Sequence, residues 1–140
     1  MAHYAIVVAR FYDDLAARLE AGARGVFEAL GDSVEVFAVP GAYELAAAAS
    51  YAAASGRFAG IACLGAVIRG ETDHYDYVCA AAAEGIQRVT LDSGVPCSFG
   101  VLTVDSYEQG LARAGGDKRD SGAHAAEAVI ALAGIRARLS

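Results

Sequence analysis

Residues 4–9 read Tyr4-Ala5-Ile6-Val7-Val8-Ala9, six consecutive residues with no charge among them. A strand with one solvated face alternates apolar and polar residues, whereas a strand apolar on both faces belongs in the middle of a parallel sheet covered by helices above and below. The run breaks at Arg10-Phe11-Tyr12, and after Asp13 the residues Leu15, Leu19, Gly22 and Val26 recur at helical spacing. The spacing predicts a helix over 14–30, with Asp13 as its capping candidate and Gly31 as its stop. A central strand followed at once by an amphipathic helix is the first half of a βαβ unit.

The same alternation runs along the rest of the chain. Val34–Val39, Gly60–Leu64 and Cys97–Val104 are short apolar, β-branched runs bounded by Gly, Pro or Asp, and they read as strands. Helical patterns lie between and after them, over Tyr43–Ala54 (closed by Gly56), His74 to about Val89, Ser106–Ala114 and Gly122–Leu139. Strict alternation requires right-handed crossovers that return the chain to the same end of the sheet. The expected fold is a single α/β domain over residues 1–140, a three-layer sandwich in which a four-stranded parallel sheet of flavodoxin-like type carries helices on both faces.

Composition narrows the function. With 140 residues, 56% of them hydrophobic and 20% charged, the chain is one domain with ample core material. Eleven Lys and Arg against 17 Asp and Glu give a net charge of -6, and no basic run exceeds Lys118-Arg119, so a nucleic-acid partner is not expected. Met1 to Ala9 lacks a signal-peptide pattern and no apolar stretch is of membrane-spanning length, so the expectation is a cytoplasmic protein without a membrane partner. Cys63, Cys79 and Cys97 stand in apolar surroundings without metal-ligand spacing and are expected to be reduced core thiols, with no metal bound.

Ligands of such sheets bind beyond the carboxyl ends of the strands, which directs attention to the loops after Arg10, Pro40, Gly65 and Asp105. The segment Gly65-Ala66-Val67-Ile68-Arg69-Gly70-Glu71-Thr72-Asp73-His74 leaves the third strand and opens a helix. A helix start offers free N–H groups and a positive dipole end to an anion, Gly70 allows close backbone approach, and His74 in the first turn can move protons beside it. By itself the pattern equally describes a helix capped by Thr72 or Asp73 with a surface histidine. Phe11 and Tyr12 can stack on a planar ring or staple onto the first helix. Gly41, Ala42, Tyr43 and Glu44 can offer backbone groups and a carboxylate, or can simply form a turn. Arg113 can hold a phosphate or complement the end of its helix. His3 and His124 show no partner and receive no role.

Taken together, Val39-Pro40-Gly41-Ala42-Tyr43-Glu44, Leu64 through Tyr77, and Phe99-Gly100-Val101-Leu102-Thr103-Val104-Asp105-Ser106 with Glu108-Gln109 closely resemble the 6,7-dimethyl-8-ribityllumazine synthase family of riboflavin biosynthesis. The resemblance runs from Ile6 to Leu132 and has three specific loops in order. It implies a transferase that needs no cofactor and condenses 5-amino-6-(D-ribitylamino)uracil with 3,4-dihydroxy-2-butanone 4-phosphate, releasing phosphate and water. It further implies His74 as the proton-transferring residue and Phe11 as the ring-stacking aromatic. Ala42, Tyr43 and Glu44, with Val67 and Ile68, fall in the substrate-binding loops, while Gly70, Glu71, Thr72 and Arg113 take the phosphate. Phe99 would complete the site from a neighbouring subunit of a homo-oligomer, with a pentamer or two stacked pentamers expected ahead of a closed icosahedral shell.

Several positions depart from that pattern. The family's Asn-Lys-Gly before the last helix is Asp120-Ser121-Gly122 here, and its glutamate two residues further on is His124. The family lysine is thus absent at Ser121, with Lys118 and Arg119 as candidates to replace it. The usual asparagine after the first aromatic is Tyr12. A Schiff-base enzyme is disfavoured because the only lysine, Lys118, lies in a polar loop. A response-regulator receiver needs an Asp where Gly65 stands, and a flavodoxin needs a Ser/Thr/Gly-rich loop where Arg10-Phe11-Tyr12-Asp13 stands. A non-catalytic flavin- or lumazine-binding relative and an archaeal-type riboflavin synthase remain as alternatives, against which the long Gly70–Tyr77 match favours lumazine synthase.

Overall fold

The computed structural model describes residues Met1 to Ser140. The chain forms β1 (His3–Ala9), α1 (Asp13–Ala29), β2 (Ser33–Val39), a 3-10 turn (Ala42–Glu44), α2 (Leu45–Ala54), β3 (Gly60–Ile68), α3 (His74–Ser93), β4 (Cys97–Val104), α4 (Tyr107–Arg113) and α5 (Ser121–Leu139). The strands pair in the order β2-β1-β3-β4, all in parallel, as a flavodoxin-like sheet does. β1 is interior, as its uniformly apolar sequence requires.

Strand periodicity divides the core in two. Tyr4, Ile6 and Val8 of β1 enter a cluster with Leu15, Leu19 and Phe27 of α1 and Val129 of α5. Ala5, Val7 and Ala9 point the other way, to Leu45 and Ala49 of α2 and Ile86 of α3. Full burial of each Ile, Leu, Val or Phe contributes about 1.5–3 kcal/mol. Exposed pairs such as Arg88–Asp92 on α3 contribute little, because water screens them. Burial on the two sheet faces therefore holds the fold together.

Three boundaries differ from the sequence reading by more than one residue. β3 does not stop at Leu64 but continues to Ile68, because β4 offers it partners up to the Ile68–Val104 pair. Gly65, which reads as the start of a loop, is instead a strand residue packed against β1, where a Cβ would stand 3.0 Å from that of Ala9. α3 continues past Val89 to Ser93 and ends at Gly94, whose left-handed φ of +77° lets its N–H donate to the Thr90 carbonyl at 2.9 Å. The helix expected from Tyr43 begins at Leu45, after the 3-10 turn. At the start of α1, Asp13 lies inside the first turn, near the positive dipole end, and does not cap the helix; Tyr12 holds the cap position without a side-chain hydrogen bond.

The closest approach in the helical layers is between α1 and α5. A Cβ on Gly122 would overlap the Leu19 carbonyl, and one on Gly22 would overlap the Asp120 carboxylate. Asp120 in turn caps α5, accepting from the Ala123 N–H at 3.1 Å. Because the obstacle at Gly122 is backbone, no rotamer change relieves it. Gly122→Ala is accordingly expected to destabilise the protein by about 1–3 kcal/mol, the usual range for overpacking. Denaturant unfolding of the variant beside the parent checks this, and an unchanged midpoint would show that the two helices separate freely.

Candidate functional site

The carboxyl ends of β1, β2 and β3 open into a cleft of about 440 Å³. Four segments wall it, drawn from three of the four loops singled out in the sequence; the loop at Asp105, after β4, lines none of it. From the end of β1 come Phe11 and Tyr12, their rings edge to face at 4.9 Å. Phe11 is 74% exposed, which excludes the staple alternative, since a stapled ring would be buried on α1. It offers an open aromatic face.

From the turn after β2 come Gly41, Ala42, Tyr43 and Glu44. Ala42 is buried and Tyr43 is exposed. Glu44 is not wholly free: one carboxylate oxygen accepts the Gly41 N–H at 2.9 Å, which fixes the turn and leaves the other oxygen for a ligand hydroxyl. The floor is the end of β3, with Ala66 and Val67 buried and Ile68 half-buried.

Gly70, Thr72, His74, Tyr75 and Val78 form the remaining wall. A Cβ on Gly70 would meet nothing within 4 Å, so internal packing does not demand glycine there and the backbone faces open space. Thr72 Oγ1 accepts from the His74 N–H at 3.4 Å, a weak substitute for a cap, and Asp73 at the cap position makes no side-chain bond. The His74 imidazole makes no hydrogen bond to any other group of the chain, so both ring nitrogens are available to a ligand. Burial raises the Tyr75 hydroxyl above the ordinary phenol range, against a hydrogen bond to Thr103 that works the other way. Tyr75 is therefore a neutral hydroxyl at physiological pH.

The structure thus brings together Phe11, Ala42, Tyr43, Glu44, Val67, Ile68, Gly70, Thr72 and His74. It leaves Glu71, Phe99 and Arg113 outside the cleft. Phe99 projects from edge strand β4 and is 44% exposed. Arg113, at the last turn of α4, donates from Nη1 to its own helix at the Gln109 carbonyl, 3.1 Å away, and meets no carboxylate. Lys118 is exposed, and Arg119 lies 3.0 Å from His124 Nδ1, which gives both residues of that pair a partner the sequence did not reveal. His3 also has partners, Ser33 Oγ at 2.6 Å and the stacked Phe58 ring.

Sequence reasoning did not assign Ala66, Tyr75 or Val78 to the site. Val78 follows His74 by one helical turn, so the helix period places the two on one face. The thiols stand outside the site. Cys63 and Cys97 are buried, and burial pushes Cys63 up and Cys97 up to about 11, which leaves both protonated and unreactive at neutral pH. No group of three or more His, Cys, Asp or Glu is placed to hold a metal, and no helix is long and apolar enough to cross a membrane.

Fold and cleft define an α/β protein with a small-molecule site at the carboxyl ends of its parallel strands, edged by open aromatic rings and a single histidine. Among known proteins, the family model for 6,7-dimethyl-8-ribityllumazine synthase matches residues 1–137. The relative from Erythrobacter litoralis is 46% identical over 138 residues, covering 99% of this chain and 98% of the relative. That from Salinibacter ruber is 42% identical over 139 residues, covering 97% of this chain and 89% of the relative. The chloroplastic protein of Spinacia oleracea is 44% identical over 134 residues, 94% of this chain, and the chain spans 60% of that longer protein's length. All three carry the name 6,7-dimethyl-8-ribityllumazine synthase. The chain belongs to this family.

Because Phe11 is exposed and contributes little to the core, Phe11→Ala should leave thermal unfolding essentially unchanged while weakening binding of a planar heterocycle by about 3- to 10-fold, the scale of one lost aromatic contact. Calorimetric titration with a lumazine or a pyrimidine analogue measures it. A large fall in thermal stability would mean that the ring is structural.

Proposed function

We propose that this cleft carries out the reaction that membership in the family assigns to the chain, the condensation of 5-amino-6-(D-ribitylamino)uracil with 3,4-dihydroxy-2-butanone 4-phosphate to 6,7-dimethyl-8-ribityllumazine, phosphate and water. The observation that carries the reading is that His74, the open face of Phe11, Gly70 and Thr72 share one cleft. In this reading the pyrimidine stacks on Phe11, with Val67, Ile68 and Ala42 beneath and beside it. Its ribityl hydroxyls meet Tyr43 and the free oxygen of Glu44. The phosphate lies at the start of α3, against the backbone of Gly70, Glu71 and Thr72, where the dipole favours an anion.

Amine attack on a ketone depends more on holding two reactants together than on a strong catalyst, so stacking and an anion clamp supply much of the acceleration through proximity. A single near-neutral base then serves imine formation, phosphate loss and ring closure. His74 suits that role because no internal partner occupies its ring. His74→Ala is expected to lower turnover by about 10- to 1000-fold with the assembly intact, the contribution typical of general acid–base groups. Simultaneous measurement of lumazine and phosphate release tests it, and an unchanged turnover number overturns the assignment. Binding of both substrates without any turnover by the parent enzyme would favour a non-catalytic relative instead.

The site is completed by a second subunit in this proposal. Phe99 is an exposed aromatic on an edge strand, and Arg113 and Lys118 are cations without a carboxylate partner in the protomer, which suits them to a neighbour's phosphate. A ring is the assembly that covers such a patch without leaving an open end, and a pentamer or a pair of stacked pentamers is the proposed form. Arg119 or Lys118 stands in for the family cation missing at Ser121. The cytoplasm is the proposed compartment, supported by three unpaired cysteines. Co-refolding His74→Ala chains with Arg113→Ala chains should regain activity that neither variant has alone, because mixed interfaces contain intact sites. No recovery in mixed oligomers, confirmed by light scattering, would place Arg113 and His74 in the same chain's site.

A further inference from the structure

From the geometry around Arg69 we infer that this residue is a positioning residue for His74, acting through Tyr75 as a clamp that fixes the first turn of α3 to the sheet. The inference rests on the reading of His74 as the proton-transferring group. α3 begins without a side-chain cap, and the weak Thr72–His74 contact stays within the turn itself, so neither secures the turn to the sheet. The task falls to Tyr75 and Arg69. The Arg69 N–H extends the β3–β4 ladder by one bond, to the Val104 carbonyl at 2.9 Å, so its backbone is fixed by the sheet. Its guanidinium lies over the Tyr75 ring, 4.2 Å from the centroid.

The guanidinium is itself held. Its Nε donates to Asp105 Oδ1 at 2.9 Å, and Nη1 stands 3.8 Å from Asp76 Oδ1 on α3. Asp105 follows β4 directly, and its own N–H is fixed by the Gln109 side chain at 2.7 Å. Arg69 therefore ties the end of β3, the end of β4 and the first turn of α3 into one unit, with the Tyr75 ring beneath its guanidinium. His74 precedes Tyr75 in the chain and shares the cleft with it. A planar guanidinium suits this work, since it stacks and donates at once. With two carboxylates beside it, Arg69 is a neutralised cation and does not serve as a phosphate clamp, unlike Arg113.

The test uses the assembled enzyme. Arg69→Met keeps the apolar stem and removes the stacked, donating head; Asp105→Asn weakens the same clamp from its other end and serves where Arg69→Met fails to assemble. Either variant should lower kcat by about 10- to 100-fold, the penalty of a misplaced catalytic group, with the KM of both substrates changed less than about 3-fold. Arg69→Lys, which keeps the cation over the ring, should restore part of the loss. In a His74→Ala background the Arg69→Met penalty should vanish, since there is no imidazole left to position. Independently of activity, the imidazole signal of His74 in 13C-histidine-labelled protein, assigned by its disappearance in His74→Ala, should broaden or split in Arg69→Met.

Equal penalties in the parent and His74→Ala backgrounds, an unperturbed His74 signal, or a selective rise in KM for the phosphate substrate would each overturn the inference. If His74→Ala alone leaves turnover unchanged, the catalytic reading of His74 fails, while the imidazole signal still decides whether the clamp exists.

Discussion

The burial of β1 and β3 on both faces is the constraint from which the rest of the structure follows. Every residue from Tyr4 to Ala9 and from Gly60 to Val67 is removed from water. Backbone groups in such strands must find partners within the sheet, and side chains must find apolar neighbours above and below. Parallel pairing answers the first requirement, and α1 with α5 on one side and α2 with α3 on the other answer the second. Since each crossover returns the chain to the same end of the sheet, all the strand-to-helix loops gather there. The cleft is a by-product of that topology before any residue in it is considered.

Packing then decides how the loops are held. α5 meets α1 backbone to backbone where Gly122 lies against Leu19, and Asp120 fills the space that the missing Gly22 side chain leaves while capping α5. That contact anchors one end of the 114–120 connection, which carries Lys118 and Arg119; the other end is anchored by the Arg119 and Lys118 N–H groups on the Ala112 carbonyl. The connection is thus an ordered shelf from which cations project without being neutralised. On the other side of the sheet, Arg69 has its charge balanced by Asp105 and Asp76. Two arginines near the strand ends therefore differ in surroundings: Arg113 meets no carboxylate, and Arg69 lies beside two. Their partners make the difference; their residue type does not.

The site has few strong chemical groups. No metal cluster is assembled, the buried thiols are protonated, and the one lysine is on the surface. What the cleft offers is shape: an open ring face at Phe11, accessible backbone at Gly70 and one imidazole with both nitrogens unengaged. Such a set suits a condensation between an amine and a ketone, a reaction that gains much from bringing the reactants together and keeping them aligned.

Much of this was legible in the residues. The uninterrupted Tyr4–Ala9 run set a central strand, the helical spacing of Leu15 and Leu19 set the crossover, and Gly31 and Gly56 marked helix ends where the backbone turns left-handed. The motif loops named nine of the residues that line the cleft, because local chemistry is carried by local sequence. The extension of β3 through Gly65 was not legible: its partners on β4 lie more than thirty residues away, and a glycine reads locally as a break. The membership of Tyr75, the commitment of Glu44 to the Gly41 N–H and the pairing of Arg119 with His124 depended likewise on side-chain directions. Above all, the sequence placed Arg69 and Arg113 alike near loops, and only the tertiary structure surrounded one with carboxylates and left the other without them, since charge balance is a property of what lies within a few ångströms in space and not along the chain.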